Sequence, residues 1–280
     1  GKTGAIVALL NAGYKVRVLD FEGNYDVLLQ YAKPETLANL DIATFQDKQT
    51  SDGATAWDTD TIAKDLAFSK AMQQMKDWKT TDAAGNPISL GASYTWGPDT
   101  VVVVDSVTSL GKASFLRARR LKGQKPGQSD PQTYDLAVKE MDAFLGWMAR
   151  KTNHFHLVVL MHWQMLGPDV PMSAKSEDEE IKDLKKQIAT ERAALLPTKL
   201  FPIGVTKASS RNIHSGMPVL IEAKRVVNGT KVRRWLYTET DEELDLAFPV
   251  PGAEVRYPIE TGLATIFELL GAKAPNKQEK

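Results

Sequence analysis

The chain has 280 residues, 42% hydrophobic and 25% charged, with 35 Lys and Arg set against 35 Asp and Glu. That balance leaves no net charge to draw a partner, and the absence of Cys excludes disulfides, thiolate metal sites and cysteine nucleophiles. No run reaches the roughly 18 apolar residues of a membrane span, so the composition predicts a cytoplasmic globular protein without a membrane partner.

The first three residues, Gly1-Lys2-Thr3, match the closing G-K-[ST] of a G-x-x-x-x-G-K-[ST] phosphate loop, and the sequence reads as opening inside that loop. Residues 4–12 are small and apolar and predict a helix ended by Gly13. Tyr14–Asp20, with Val16, Val18 and Leu19, predicts a buried strand, and Glu22-Gly23-Asn24 a turn. A helix around Asp26–Tyr31 should stop before Pro34, since proline disfavours helical geometry in the residue ahead of it. Ile42–Phe45 can form a strand, and Asp58–Lys79 has helical spacing. Thr80–Pro98, rich in Gly, Ala, Asp and Pro, reads as loop.

Val101–Val104 is an apolar run without alternation, the pattern of a strand covered on both faces. Thr133–Lys151 predicts a long helix, and His156–Met161 a second fully apolar strand. Helices alternating with buried strands predict an α/β fold, a doubly wound and mostly parallel sheet flanked by helices. Within one core spanning 1–270, the charged stretch of about 173–196 reads as an inserted exposed helix. Pro218–Val227 and Lys231–Thr238 flank Asn228-Gly229 and predict a C-terminal β-hairpin. Pro258–Leu270 predicts a short helix, and the polar tail of 271–280 reads as frayed from Lys273 to Lys280.

Three elements in this order point to a nucleotide. A helix directly after G-K-T offers its unpaired N–H groups to phosphate, which makes Gly1, Lys2, Thr3 and Gly4 the candidate phosphate-binding segment. Asp20 and Glu22 close the next strand, and Asp105 closes the valine run. An aspartate at the carboxyl end of a buried strand lies where open α/β sheets bind ligands, and it can hold a Mg²⁺ shell beside Thr3. Alternation points Asp20 and Glu22 to one side, so spacing does not choose a general base between them. Ser106 reads as a hydroxyl near that shell rather than a nucleophile. His154 and His156 lack further ligands nearby and read as surface or core imidazoles.

Two stretches are basic. The first, 112–125, holds Lys112, Arg117, Arg119, Arg120, Lys122 and Lys125 without an acid; the second runs from Lys199 to Arg234 and includes Lys207 and Arg211. Both follow predicted strands, which favours contact with nucleic acid. Aromatic residues are sparse there, Phe115 and Trp235, so phosphate contact should outweigh base stacking.

GKTGAIVALLNAG, VRVLDFEG, VVVVDSVTSL and LVVLMHWQ resemble the RecA/RadA-like core ATPases. They resemble most the shorter phage-encoded AAA-type recombination ATPases, which work with single-strand annealing and binding proteins. VRRWLYTET followed by IETGLATIFELL is similar to that group as well. The likeness runs from Gly1 to about Leu270 and is weakest over 46–98 and 166–200.

The resemblance implies ATP and Mg²⁺ as cofactors. Lys2 would contact the β- and γ-phosphates, Thr3 and Asp105 would hold Mg²⁺, and Glu22 rather than Asp20 would polarise the attacking water. His162 or Gln164 would sense the γ-phosphate, and the segment after the valines would form a DNA-facing loop. Arg225, Arg233 and Arg234 are candidates for a cation supplied to a neighbouring subunit. The implied protein is a homo-oligomeric ATPase acting on single-stranded DNA in phage recombination or annealing, in the host cytoplasm, with a single-strand annealing or binding protein as a partner. Another P-loop motor, a helicase or packaging ATPase, and a nucleotide-gated DNA-binding scaffold with little turnover remain open alternatives.

Overall fold

Runs of Val, Leu and Ile with few polar interruptions build the centre of the molecule. The computed structural model describes residues 2–47, 63–82, 84–124, 128, 130–166, 199–202, 218–228, 230–240 and 246–275; for 2–3, 26–27, 163–166 and 199–202 it describes the backbone alone. The chain runs α1 (Lys2–Asn11), β1 (Lys15–Asp20), α2 (Asp26–Tyr31), β2 (Leu40–Thr44), α3 (Ala67–Lys76), β3 (Lys79–Thr81), β4 (Pro87–Ser89), β5 (Thr100–Asp105), α4 (Val107–Leu121) and α5 (Pro131–Met148). It continues through β6 (His156–Leu160), β7 (Trp163–Leu166), β8 (Lys199–Pro202), β9 (Glu222–Asn228), β10 (Lys231–Tyr237), β11 (Arg256–Pro258) and α6 (Ile259–Leu269).

The four buried strands form one parallel sheet in the order β2-β1-β5-β6. Its two faces divide the apolar residues by the two-residue period of a strand. Val16, Val18, Val101 and Val103 pack with Ile6, Leu9 and Leu10 of α1 and with Leu263, Ile266 and Phe267 of α6. Leu19, Val102 and Val104 pack instead with Phe68 of α3, Leu110 of α4 and Met141 of α5. The unalternating sequence of β5 therefore has its cause: all six residues are buried, between two layers of helices. The expectation of an α/β fold with helices flanking a parallel sheet holds.

Gly13 ends α1 at φ 91°, with its N–H on the Leu10 carbonyl and that of Tyr14 on Leu9, which turns the chain straight into β1. β9, β10 and β11 form a separate antiparallel sheet with β10 in the middle. The predicted hairpin is there, and Asn228, part of the Asn-Gly signal, belongs to β9, where it pairs with Lys231. β11 has only three residues and no alternation long enough to read from sequence.

Other expectations need correction. The stretch read as loop over Thr80–Pro98 holds the β3–β4 hairpin, closed by Asp82, whose carboxylate accepts from the N–H groups of Ala84 and Asn86. Its strands are short and their faces mostly exposed, so no hydrophobic pattern marks them. The helix expected over Asp58–Lys79 is shorter: α3 starts at Ala67, whose N–H bonds Asp47 at 2.7 Å. Residues 107–121, read in part as a DNA-facing loop, form the 15-residue helix α4. The tail is not frayed throughout, because Ala274 is buried in the α1–α6 core. The insertion at 173–196 lies outside the described residues, and among those described no helix is long and apolar enough to cross a membrane.

One edge of the parallel sheet is unlike the rest. Among the described residues β6 pairs only with β5, and no strand lies along its other side. There an apolar groove follows Leu157–Met161, walled by Leu220 and Ile221 and by α6. It has two lobes of about 450 and 360 Å³, and Ala5 of α1 lines the smaller one beside His162.

Candidate active site

The carboxyl ends of β1, β5 and β6 bring four chemistry-bearing side chains together: Asp20, Glu22, Asp105 and His162. β1 ends in Asp20, aligned with Asp105 of β5. Backbone bonds extend this pairing past the strand, from Phe21 N–H to the Asp105 carbonyl and from Phe45 N–H to the Asp20 carbonyl. Glu22 follows in a bend. Strand alternation therefore stops before it, and the two carboxylates are not a same-face pair, contrary to the spacing argument.

Their hydrogen bonds separate their roles. Asp20 is 1% exposed, and its Oδ1 accepts from the N–H groups of Glu22 (2.9 Å) and Gly23 (2.8 Å). Its Oδ2 accepts from the Thr44 hydroxyl at 3.2 Å. Asp20 is thus occupied in shaping the turn that presents Glu22. Gly23 at φ 75° is part of that shape, because a β-carbon there would run into the Gln46 amide, which itself donates to the Glu22 carbonyl.

Glu22 is held by side chains instead. Its Oε1 accepts from the Ser106 hydroxyl, from the Ser109 hydroxyl at 3.4 Å and faces His162 Nε2 at 3.0 Å. Ser106 is fully buried, follows Asp105 through a cis peptide and N-caps α4 by accepting from Ser109 N–H. The spacing of Ser106 and Ser109 at the start of a helix puts both hydroxyls on one side. Ser-x-x-Ser after a strand-ending aspartate was the signal available for the second one. Glu22 keeps its side chain 21% exposed, open to solvent at the sheet edge.

Asp105 is buried, and Tyr25 projects its own buried hydroxyl toward it. Burial first, then the charge of Asp105 and a hydrogen bond to it, and then the charges of Asp20 and Glu22, push the Tyr25 pKa above the ordinary tyrosine value of 10.0. Tyr25 therefore stays a neutral donor among three acids. Sequence gave no signal for it, since it falls at the start of a short helix among ordinary core residues.

A serine, a histidine and a carboxylate converge here, yet not as an acyl-transfer triad. That chemistry places the imidazole between hydroxyl and carboxylate. Here the carboxylate is in the middle, so Ser106 has no base to take its proton through His162.

Several expected residues are less informative. Lys2 and Thr3 lie at the start of α1, with their side chains outside the described residues, as are Gly1, Gln164's side chain, Lys207 and Arg211. Gly4 sits in the first turn of α1 with open space around its α-carbon. Among the described residues no cluster of three or more His, Asp or Glu is arranged to cage a metal. A Mg²⁺ bound with a nucleotide needs no such cage, because it keeps its waters and takes one or two protein ligands beside phosphate oxygens. Asp105, a carboxylate at the carboxyl end of β5, suits one such ligand.

The structure gives part of the basic stretch after β5 partners within the chain. In α4, Arg117 forms an ion pair with Glu140 of α5 and donates from Nε to Ser69 of α3 at 2.8 Å. Arg119 is 4% exposed, with its guanidinium 5.9 Å from the Phe115 ring centroid. Lys122 reaches Asp130 (3.4 Å) and Gln132 (3.0 Å), and Arg120 is half-buried. Of the six cations in this stretch Lys125 lies outside the described residues, and among the other five Lys112 is the exposed one. Arg117 and Lys122 are paired by Glu140 of α5 and by its N-cap Asp130, and Glu140 lies too far along the sequence for a local charge count to include it. Arg225, Arg233 and Arg234 are exposed on the β9–β10 hairpin and make no contact with Glu22. His154 is exposed, and His156 is wedged between Tyr14 and Phe267.

Compared with protein-family models, curated proteins and solved structures, the chain matches none of them.

Proposed function

We propose that this chain is the core of a Mg²⁺-dependent, RecA-like P-loop ATPase that acts on single-stranded DNA, in the manner of phage recombination and annealing ATPases. The observation that carries the reading is Glu22. Its carboxylate is fixed by Ser106, Ser109 and His162 at the carboxyl edge of a parallel sheet, one strand-end away from Asp105. A carboxylate so placed can orient a water and draw its proton during in-line attack on a phosphoryl group. Asp105 and Thr3 would hold Mg²⁺, which supplies charge neutralisation on the phosphate oxygens. Lys2 would add a fixed positive charge there, and His162, bonded to Glu22, would couple that carboxylate to the phosphate end of the site.

The test is phosphate release from ATP, with and without Mg²⁺ and single-stranded DNA, by a protein carrying this sequence behind a complete phosphate loop. Turnover that needs Mg²⁺ and rises with DNA is the expected result. Strand separation coupled to turnover would make it a helicase instead, and nucleotide binding without turnover would make it a gated scaffold.

A further inference from the structure

The outer face of the C-terminal sheet carries a pattern that the site above does not use. Residues 223–238 hold Lys224, Arg225, Lys231, Arg233 and Arg234 and no acid, in a chain whose charges cancel as a whole. The register pairs Asn228 with Lys231, Val226 with Arg233, Lys224 with Trp235 and Tyr237 with Arg256. Directly paired residues share a face, so Lys224, Lys231, Arg233 and Arg256 stand on one side of the sheet with Trp235 and Tyr237. Glu222 is the acid on that face, and it already binds Lys224 at 2.8 Å.

The arrangement is more than a charged surface. Lys231, Arg233, Trp235 and Arg256 line a cleft of about 230 Å³ together with Val226 and Asn228. The exposed Arg256 guanidinium lies 4.5 Å from the Trp235 ring centroid, and Lys224 lies 5.5 Å from that of Tyr237. Arg225 and Arg234, paired with each other and both exposed, lie on the opposite face of the sheet and take no part in this cleft.

We infer that this face binds single-stranded nucleic acid, with phosphates on Lys231, Arg233 and Arg256 and a base stacked over the Arg256–Trp235 pair. A guanidinium seated on an indole offers a flat platform to an unstacked base. A duplex keeps its bases stacked inside and would present phosphates alone. An acidic peptide would match the charge but leave the platform without a ring. The inference takes the nature of its partner from the reading above, and it does not depend on hydrolysis.

Fluorescence anisotropy of labelled oligo-dT over a range of salt concentrations, with and without ATP, tests it. The Lys231→Gln/Arg233→Gln/Arg256→Gln variant should bind at least about tenfold more weakly. Its slope of log affinity against log salt should be shallower by about 2, from about 0.7 per lost phosphate contact. Trp235→Leu should weaken binding several-fold at unchanged slope, since stacking releases no counterion, and Trp235→Phe should restore much of it. Lys33→Gln/Lys76→Gln/Lys151→Gln, equal in charge and elsewhere on the surface, should bind like the wild type. Melting curves confirm that each variant is folded, which the exposed positions of the three cations favour. The inference is overturned if the first variant keeps wild-type affinity and slope, or if duplex binds as tightly as single strand. It is overturned as well if polyglutamate competes as effectively as oligo-dT, or if the wild type binds no oligo-dT in either condition. ATP turnover measured without DNA stays informative about Glu22 in every one of these cases.

Discussion

Two acids two residues apart do different work because the backbone places them differently. Asp20 spends both oxygens on the Glu22 and Gly23 N–H groups and on Thr44, whereas Glu22 is held by side chains that leave it open at the sheet edge. Ser106→Ala should leave the fold intact and reduce turnover by about tenfold or more, because it releases one donor that orients Glu22. Steady-state kinetics check this, and a variant with unchanged kcat would show that orientation comes from His162 and Ser109. His156 gives a prediction about pH. Burial lowers its pKa below 6.5, opposed by its bond to the Pro98 backbone. As pH falls the unfolded chain takes up this proton first, so the stability tied to a neutral His156 is complete above about pH 6.5 and is lost as pH falls below it. Melting temperature should therefore drop between about pH 7 and pH 5. His156→Phe, which keeps a ring between Tyr14 and Phe267, should flatten that drop. An equally steep profile in the variant would remove His156 as its cause.

At the scale of elements, helices read well where their spacing was apolar and poorly where cations shared the inner face. α5 was legible from Met141, Phe144, Leu145 and Met148, all buried. α4 was missed because Arg117 and Arg119 in its C-terminal half look like solvent residues, while their long apolar stems let them lie within the helical layer. α6 rests on the small sheet through Gly262, where a β-carbon would come within 2.7 Å of Tyr257 Cβ and 3.2 Å of Leu236 Cδ1. Gly262→Ala would gain about 1 kcal/mol in helix propensity. Overpacking against Tyr257 costs about 1–3 kcal/mol, so the variant should be less stable on balance, with a lower denaturant midpoint. A raised midpoint would mean that α6 slides on the sheet without cost.

For the whole molecule, the parallel sheet was legible because valine runs have few other uses, and Asp105 was legible because it ends such a run. The partners of Glu22 were not, since Ser106, Ser109 and His162 reach it across 84, 87 and 140 residues of sequence. Only the register of β1, β5 and β6 brings them together. The exposed sheet of cations and rings was half legible: its charges were plain, but the stacking of Arg256 on Trp235 depends on β11, which no pattern announced.

The central claim is that Glu22 activates water at a nucleotide site. It is tested most directly by single-turnover hydrolysis of ATP with Mg²⁺ in a protein carrying this sequence behind a complete phosphate loop, comparing the wild type with Glu22→Gln. The amide keeps the shape of the side chain but cannot draw a proton. The account predicts a rate loss of about 100-fold or more at unchanged ATP affinity. A Glu22→Gln protein that hydrolyses ATP at the wild-type rate would contradict it.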